Sequence, residues 1–211
     1  MNIEDRNKIQ IGVGIGLTVV VLGLLAWAIG THVTGNSGEP GLMSVCWRAN
    51  GQADFNTSVC STPEEVRWDR SQVPLVVRGP DHPQLHSAIQ SANTQVGCEV
   101  LQWQESDGSS DFDILVSLDV PMTAGTDHPG GATSFRRDAS GRMKAYADVF
   151  AGGMDATMLV KVISHELGHA LGLAHDDWSG SIMRPAQRSG LEFVRISDND
   201  RRILHDLYCS Q

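Results

Sequence analysis

The longest apolar run lies near the start of the chain. Residues 11–30 read IGVGIGLTVVVLGLLAWAIG and hold no charged side chain. A helix over these 20 residues is about 30 Å long, the thickness of a hydrocarbon core. Arg6 and Lys8 precede the run, and no further Lys or Arg appears until Arg48. Positive charge stays on the cytoplasmic side, so residues 1–10 are expected in the cytoplasm and everything after residue 30 across the membrane. Two forms of this expectation stand. The run is a single-pass signal anchor, favoured by its length, or a signal peptide cleaved near Ala28, where Ala26 and Ala28 offer small side chains. Both export the remainder.

Residues 31–64 begin as a polar, glycine-rich linker and continue without a clear period, as a small stapled subregion or a short pro-segment. Regular patterning follows. Residues 73–78 (VPLVVR) read as a strand, and 82–95 have helical spacing with Leu85, Ile89 and Ala92 on one side. Strands are expected over 99–103, 111–118, 130–135 and 144–150. A long helix follows over 156–171, with Asp155 placed to cap it. The last helix, 197–208, carries Asp198 and Asp200 near its start, where they suit the dipole. This order predicts an α/β (α+β) domain over 65–211.

Charge and cysteine count refine the picture. Of 211 residues, 25 are acidic and 16 basic, a net charge of -9. The charges of the first thirty residues cancel, so the whole excess belongs to the exported part. A large basic surface for nucleic acid is therefore not expected. Four cysteines, Cys46, Cys60, Cys98 and Cys209, all lie beyond the apolar run, and an even count in an oxidising compartment favours two disulfides. Three pairings exist. Cys46 with Cys60 and Cys98 with Cys209 is the expected one, because it joins neighbours and ties the C-terminal end to the body.

Candidate chemistry sits in the long helix. His165, Glu166 and His169 form HExxH, and the string continues to HExxHxxGxxH with Gly172 and His175. Residues four apart share a helix face, so two imidazoles can meet one metal ion at about 2.0–2.1 Å. Glu166 projects beside the ion without occupying a ligand position. Gly172 can adopt positive φ and end the helix, which turns the chain back and brings His175 to the same ion. One position is left for water. His32, His82, His86, His128 and His205 lack partners at ligand spacing and read as ordinary histidines.

This motif, followed eight positions after His175 by Met183 in SIMRP (181–185), resembles the metzincin zinc endopeptidases. The short interval is similar to the matrixins, the relatives of the matrix metalloproteinases. VRWD at 66–69, ISDND at 196–200 and LY at 207–208 are similar to the opening and the terminal helix of a matrixin domain. The resemblance covers about 65–211 and is most specific at the zinc motif. It implies a metzincin catalytic fold: a twisted mixed five-stranded sheet with an active-site helix, a backing helix and a C-terminal helix, here preceded by one N-terminal transmembrane helix.

The same resemblance implies one catalytic zinc ion on His165, His169 and His175, with room for a calcium ion as well. Glu166 would be the general base that takes a proton from a zinc-activated water. Gly172, Met183 and Pro185 would support the site, with Met183 as its hydrophobic floor. The reaction implied is hydrolysis of peptide bonds in extracytoplasmic proteins, by a monomer in the cell envelope or outside the cell; the small architecture suggests a bacterial envelope. An extended peptide would pair with an edge strand near 131–135, against a pocket wall formed by 185–194 that includes Arg188. Asp176 stands where matrixins carry a small hydroxyl residue, Gln187 where they often carry Tyr, and no cysteine-switch motif is present. An acidic side chain of 42–65, such as Asp54, is one candidate for latency through the zinc. The alternative function is a catalytically inactive, membrane-tethered metzincin-fold binding module.

Overall fold

The computed structural model describes residues 41–118, 130–176, 178, 180–185 and 195–210. The expected membrane span at 11–30 lies outside these residues, as do His32, His128, Gln187, Arg188 and most of the expected pocket wall. Among the described residues no helix is long and apolar enough to cross a membrane.

The chain opens with a small antiparallel sheet of β1 (Ser44–Trp47), β2 (Ala53–Asp54) and β3 (Glu64–Glu65), in the order β2-β1-β3. Strands of two and four residues are too short to show a period, which is why 42–65 reads as aperiodic. Cys46–Cys60 staples this sheet. Asp54 is not a free acid here: both Nε and a terminal nitrogen of Arg48 donate to its Oδ2. The carboxylate is spoken for inside the small sheet, which corrects its candidacy as a zinc-directed latch.

The main sheet has the order β5-β4-β6-β8-β7. β4 (Leu75–Gly79), β5 (Leu101–Glu105), β6 (Ile114–Leu118) and β8 (Met143–Val149) run parallel, and β7 (Gly131–Arg137) is the antiparallel edge. β4 starts later than its apolar pattern because Pro74 has no N–H to give a ladder. Just before β6 the Asp113 carboxylate accepts from Val76 N at 2.8 Å, across 37 residues.

Three helices cover the sheet. α1 (Pro83–Val96) has Pro in its first turn, buries Leu85, Ala88, Ile89, Ala92 and Val96, and stops at Gly97 with φ +94°. α2 (Ala156–Ala170) is capped as expected, since Asp155 Oδ1 accepts from Met158 N at 2.8 Å. α3 (Asp198–Tyr208) is capped by Ser197, whose Oγ accepts from Asp200 N at 3.1 Å. Ile163, Leu167 and Leu171 of the α2 region join Leu75, Val77, Ile114, Ala145 and Leu204 in one apolar core. Burial of each such branched side chain contributes roughly 1.5–3 kcal/mol.

The second disulfide, Cys98–Cys209, ties the turn after α1 to the end of α3 and matches the expected pairing. It closes 111 residues of chain, so its removal frees a long stretch of the unfolded ensemble. The double variant Cys98→Ser, Cys209→Ser is expected to lose about 3–5 kcal/mol of stability, read as a lower urea midpoint. An unchanged midpoint would remove this bond from the stabilising terms.

Candidate metal centre

The C-terminal end of α2 sets the geometry. Gly172 has φ +102°. Gly172 N donates to His169 O at 2.8 Å and Leu173 N to Gly168 O at 3.0 Å, the paired bonds of a left-handed helix stop. The last carbonyls of a helix need outside donors, and two buried aromatics supply them. Trp68 Nε1 donates to Ala170 O at 2.8 Å, and Tyr208 Oη to Leu171 O at 3.0 Å. Residues after the stop then pair with the start of the described chain: Met43 N donates to Gly172 O at 2.7 Å, and Leu42 bridges Leu173. The reversal expected at Gly172 is therefore fixed from both sides.

This reversal brings His175 back to the helix. The Nε2 atoms of His165, His169 and His175 lie 3.0, 3.1 and 3.3 Å apart. Among the described residues they form the group of His, Cys, Asp and Glu atoms close enough to share an ion. Carbonyl oxygens fix the ring states. His165 Nδ1 lies 2.6 Å from Ile182 O and His169 Nδ1 2.8 Å from Leu173 O. A carbonyl can only accept, so Nδ1 carries the proton and Nε2 presents a lone pair. Lone pairs held this close repel unless a cation lies between them. Tetrahedral zinc with bonds of 2.0–2.1 Å separates its ligand atoms by about 3.4 Å, so the donor set and its spacing fit that ion.

Met183 lies beneath the histidines. It is fully buried, its N–H bonds Ser181 Oγ at 2.9 Å, and its carbonyl accepts from Asp176 N at 3.1 Å. A Cβ at Gly168 would fall well inside contact distance of its sulfur, so the helix needs glycine there. Pro185 is exposed, just beyond this turn.

Glu166 is 3% exposed. Thr133 Oγ1 lies 2.7 Å from its Oε2. Gly131 backs the other oxygen so closely that a Cβ would sit 2.7 Å from Oε1. Burial pushes the Glu166 carboxyl up to about 7; the Thr133 bond opposes this, and the Asp148 charge adds to it. A carboxyl held there can take and return protons near neutral pH. Thr133, Gly131 and Gly168 carry no signal in the sequence for these roles.

A second buried acid lies behind the site. Asp176 Oδ1 accepts from Trp178 N at 2.9 Å, and Asp200 Oδ2 from Ser197 Oγ at 2.8 Å. Asp176 Oδ2 and Asp200 Oδ1 are buried without a hydrogen-bond partner among the described residues. Asp200 is pushed up to about 6 by burial first and by Asp176 second. An acid held more weakly ionised in the folded state stabilises it at low pH: the contribution is full below about 4 and is lost as pH rises through about 6. Asp200→Asn cannot ionise. Its stability deficit against wild type is expected to be larger at pH 4.5 than at pH 8, in paired urea titrations. An equal deficit at both would refute the raised titration of Asp200.

Of the remaining described histidines, His82 precedes α1 without a side-chain cap bond, and two others bond elsewhere. His86 Nε2 meets Asp81 at 2.8 Å, and His205 Nδ1 bonds Val96 O at 3.1 Å.

Comparison with known proteins places this geometry. A family profile described as matrixin matches residues 84–209, more than half of the chain. Matrix metalloproteinase-21 of Xenopus laevis is 47% identical over 55 residues, which are 25% of this chain and 9% of that protein. The match thus spans about a tenth of that relative's length. A solved structure of myroilysin aligns with TM-score 0.44 and 14% identity, covering 69% of this chain and 83% of that one.

Proposed function

Since the chain belongs to the matrixin family, whose members are in general zinc metalloendopeptidases, we propose that it hydrolyses peptide bonds of extracytoplasmic proteins with Glu166 as general base. The observation that carries this reading is the convergence of the Nε2 atoms of His165, His169 and His175 beside the buried carboxyl of Glu166. The closeness of Glu166 to the three converging histidines supports an enzyme over the inactive binding module.

His165, His169 and His175 would hold the ion. Zinc held there would supply Lewis acidity and lower the pKa of a bound water to about 7. The rest is done by the chain. Thr133 holds Glu166 Oε2, which leaves Oε1 to receive a proton from the attacking water and to return it to the departing amine. Ile182 and Leu173 keep each Nδ1 proton in place, so the first two rings cannot turn away from the ion. Met183 fills the space under them without offering a bond. The peptide lies extended along the outer edge of β7, and Pro185 opens the wall of the adjoining pocket.

The finer topology belongs to the same proposal: residues 1–10 cytoplasmic, 11–30 a membrane anchor, 31–64 a linker region and 65–211 the catalytic domain. The chain acts as a monomer outside the cytoplasm. Purified full-length protein loaded with zinc is expected to cleave quenched peptides from a broad library, and a chelator should stop it. Zinc bound at one per chain without cleavage of any library member would refute the endopeptidase reading.

A further inference from the structure

β7 is the edge strand beside Glu166, and one end of its outer edge is already occupied. β8 pairs with the inner side of β7 from Gly131 to Arg137. On the outer side Gln52 bridges Arg136 in the antiparallel sense, and Arg137 N donates to Gly51 O at 2.7 Å. The turn that makes these bonds joins β1 to β2. It is tied down by the Cys46–Cys60 staple and by the Arg137 guanidinium, which lies 4.4 Å from the Trp47 ring centre and 2.8 Å from Glu64 Oε2. This end of the edge is covered by a braced element.

Backbone groups alternate sides along a strand. The Arg137 bond to Gly51 therefore assigns residues 131, 133 and 135 to the outer edge. Gly131 and Thr133 are the two that touch Glu166. From Thr133 to the bridge at Arg136 the strand runs three residues, about 10 Å. We infer that the Gly51–Gln52 turn closes one end of the peptide cleft, so that an extended substrate is held over only about three residues on that side of the scissile bond. This inference rests on the endopeptidase reading above. In the antiparallel sense that Gln52 itself adopts, the restricted side is the N-terminal one. A longer chain must bend away there. The preferred substrates are then peptides cut close to a free N-terminus, or loops that bend just before the cut.

The test uses full-length, zinc-loaded wild-type protein and a ladder of quenched peptides. All share one scissile bond and one C-terminal half, with one to eight residues on the N-terminal side. The expected kcat/KM rises at least about tenfold over the first three residues, as edge bonds are added, and is flat beyond. A further tenfold rise between the fourth and eighth residues would overturn the inference.

Gly51→Ala supplies the second arm. Gly51 has φ +77°, and a Cβ there would sit 2.8 Å from Arg137 O, so the turn must lift from β7. In this variant the rise is expected to continue past the third residue; a profile identical to wild type would overturn the inference. Amide exchange in zinc-free protein gives a readout apart from catalysis. The Arg137 amide should exchange slowly in wild type and faster in Gly51→Ala, and equal rates would show that the turn does not seal the edge. Cleavage without any length limit sinks this inference alone, whereas zinc binding without cleavage of any peptide sinks the endopeptidase reading and this inference with it.

Discussion

Glu166→Gln is expected to lower kcat/KM by about 100- to 10,000-fold, the usual contribution of a positioned general base. Glutamine keeps the size of the side chain and an oxygen for the Thr133 hydroxyl, which lies 2.7 Å from Oε2 in the native site. It has no lone pair that accepts a proton near neutral pH. The fall should therefore appear in kcat, with KM little changed and zinc still bound at one per chain. Steady-state kinetics beside metal analysis separates this from loss of the ion. A variant that keeps more than a tenth of wild-type kcat would remove Glu166 from the proton path.

Among the described glycines, Gly172→Ala should be the most damaging single methyl. The position combines φ +102° with a Cβ site well inside contact distance of Val66 O, and Leu42 Cδ2 lies 3.3 Å away. Left-handed backbone alone costs a non-glycine residue about 1–3 kcal/mol. Here the backbone must also move, and Leu173 O, which holds His169 Nδ1 at 2.8 Å, moves with it. Stability is expected to fall by more than about 3 kcal/mol, and zinc affinity by about 10- to 100-fold, as when a group that orients a ligand is lost. Gly153→Ala is the control: φ is +81°, and nothing lies within 4 Å of its Cβ site. It carries the backbone penalty without the collision. Equal losses in the two variants, by denaturation and zinc titration, would show that the Val66 contact does not matter.

The part of the site legible in the sequence is the part that is local. His165, His169 and Gly172 lie within one helix and its stop, and His175 lies three residues on, so helical spacing and the turn at Gly172 bring them together. Asp155 and the helix ends were legible for the same reason, because a cap acts within four residues of itself. Thr133 and Gly131 were not. They reach Glu166 across 33 residues in the case of the Thr133 bond, through a sheet whose strand order breaks sequence order. The pairing of Asp176 with Asp200 was hidden too, since Asp200 also satisfies a simpler reading as a helix N-terminal acid. Gly168 looks like a weak helix residue until Met183 is placed against it. The small N-terminal sheet was missed because pairing between two-residue strands leaves no alternation to read, although its cysteines announced that something was stapled there.

The Trp68 and Tyr208 bonds carry a temporal consequence. Trp68 reaches Ala170 across 102 residues, and Tyr208 Oη accepts from Trp68 N across 140. The end of the histidine-bearing helix is thus closed by one residue synthesised early and another synthesised after all three histidines and Met183. Contacts of such separation form late. A nascent chain that has just exposed all three histidines still lacks the tyrosine that completes their scaffold. The scaffold around the three histidines is completed only with the last helix, so a ribosome-bound or prematurely terminated product lacks it.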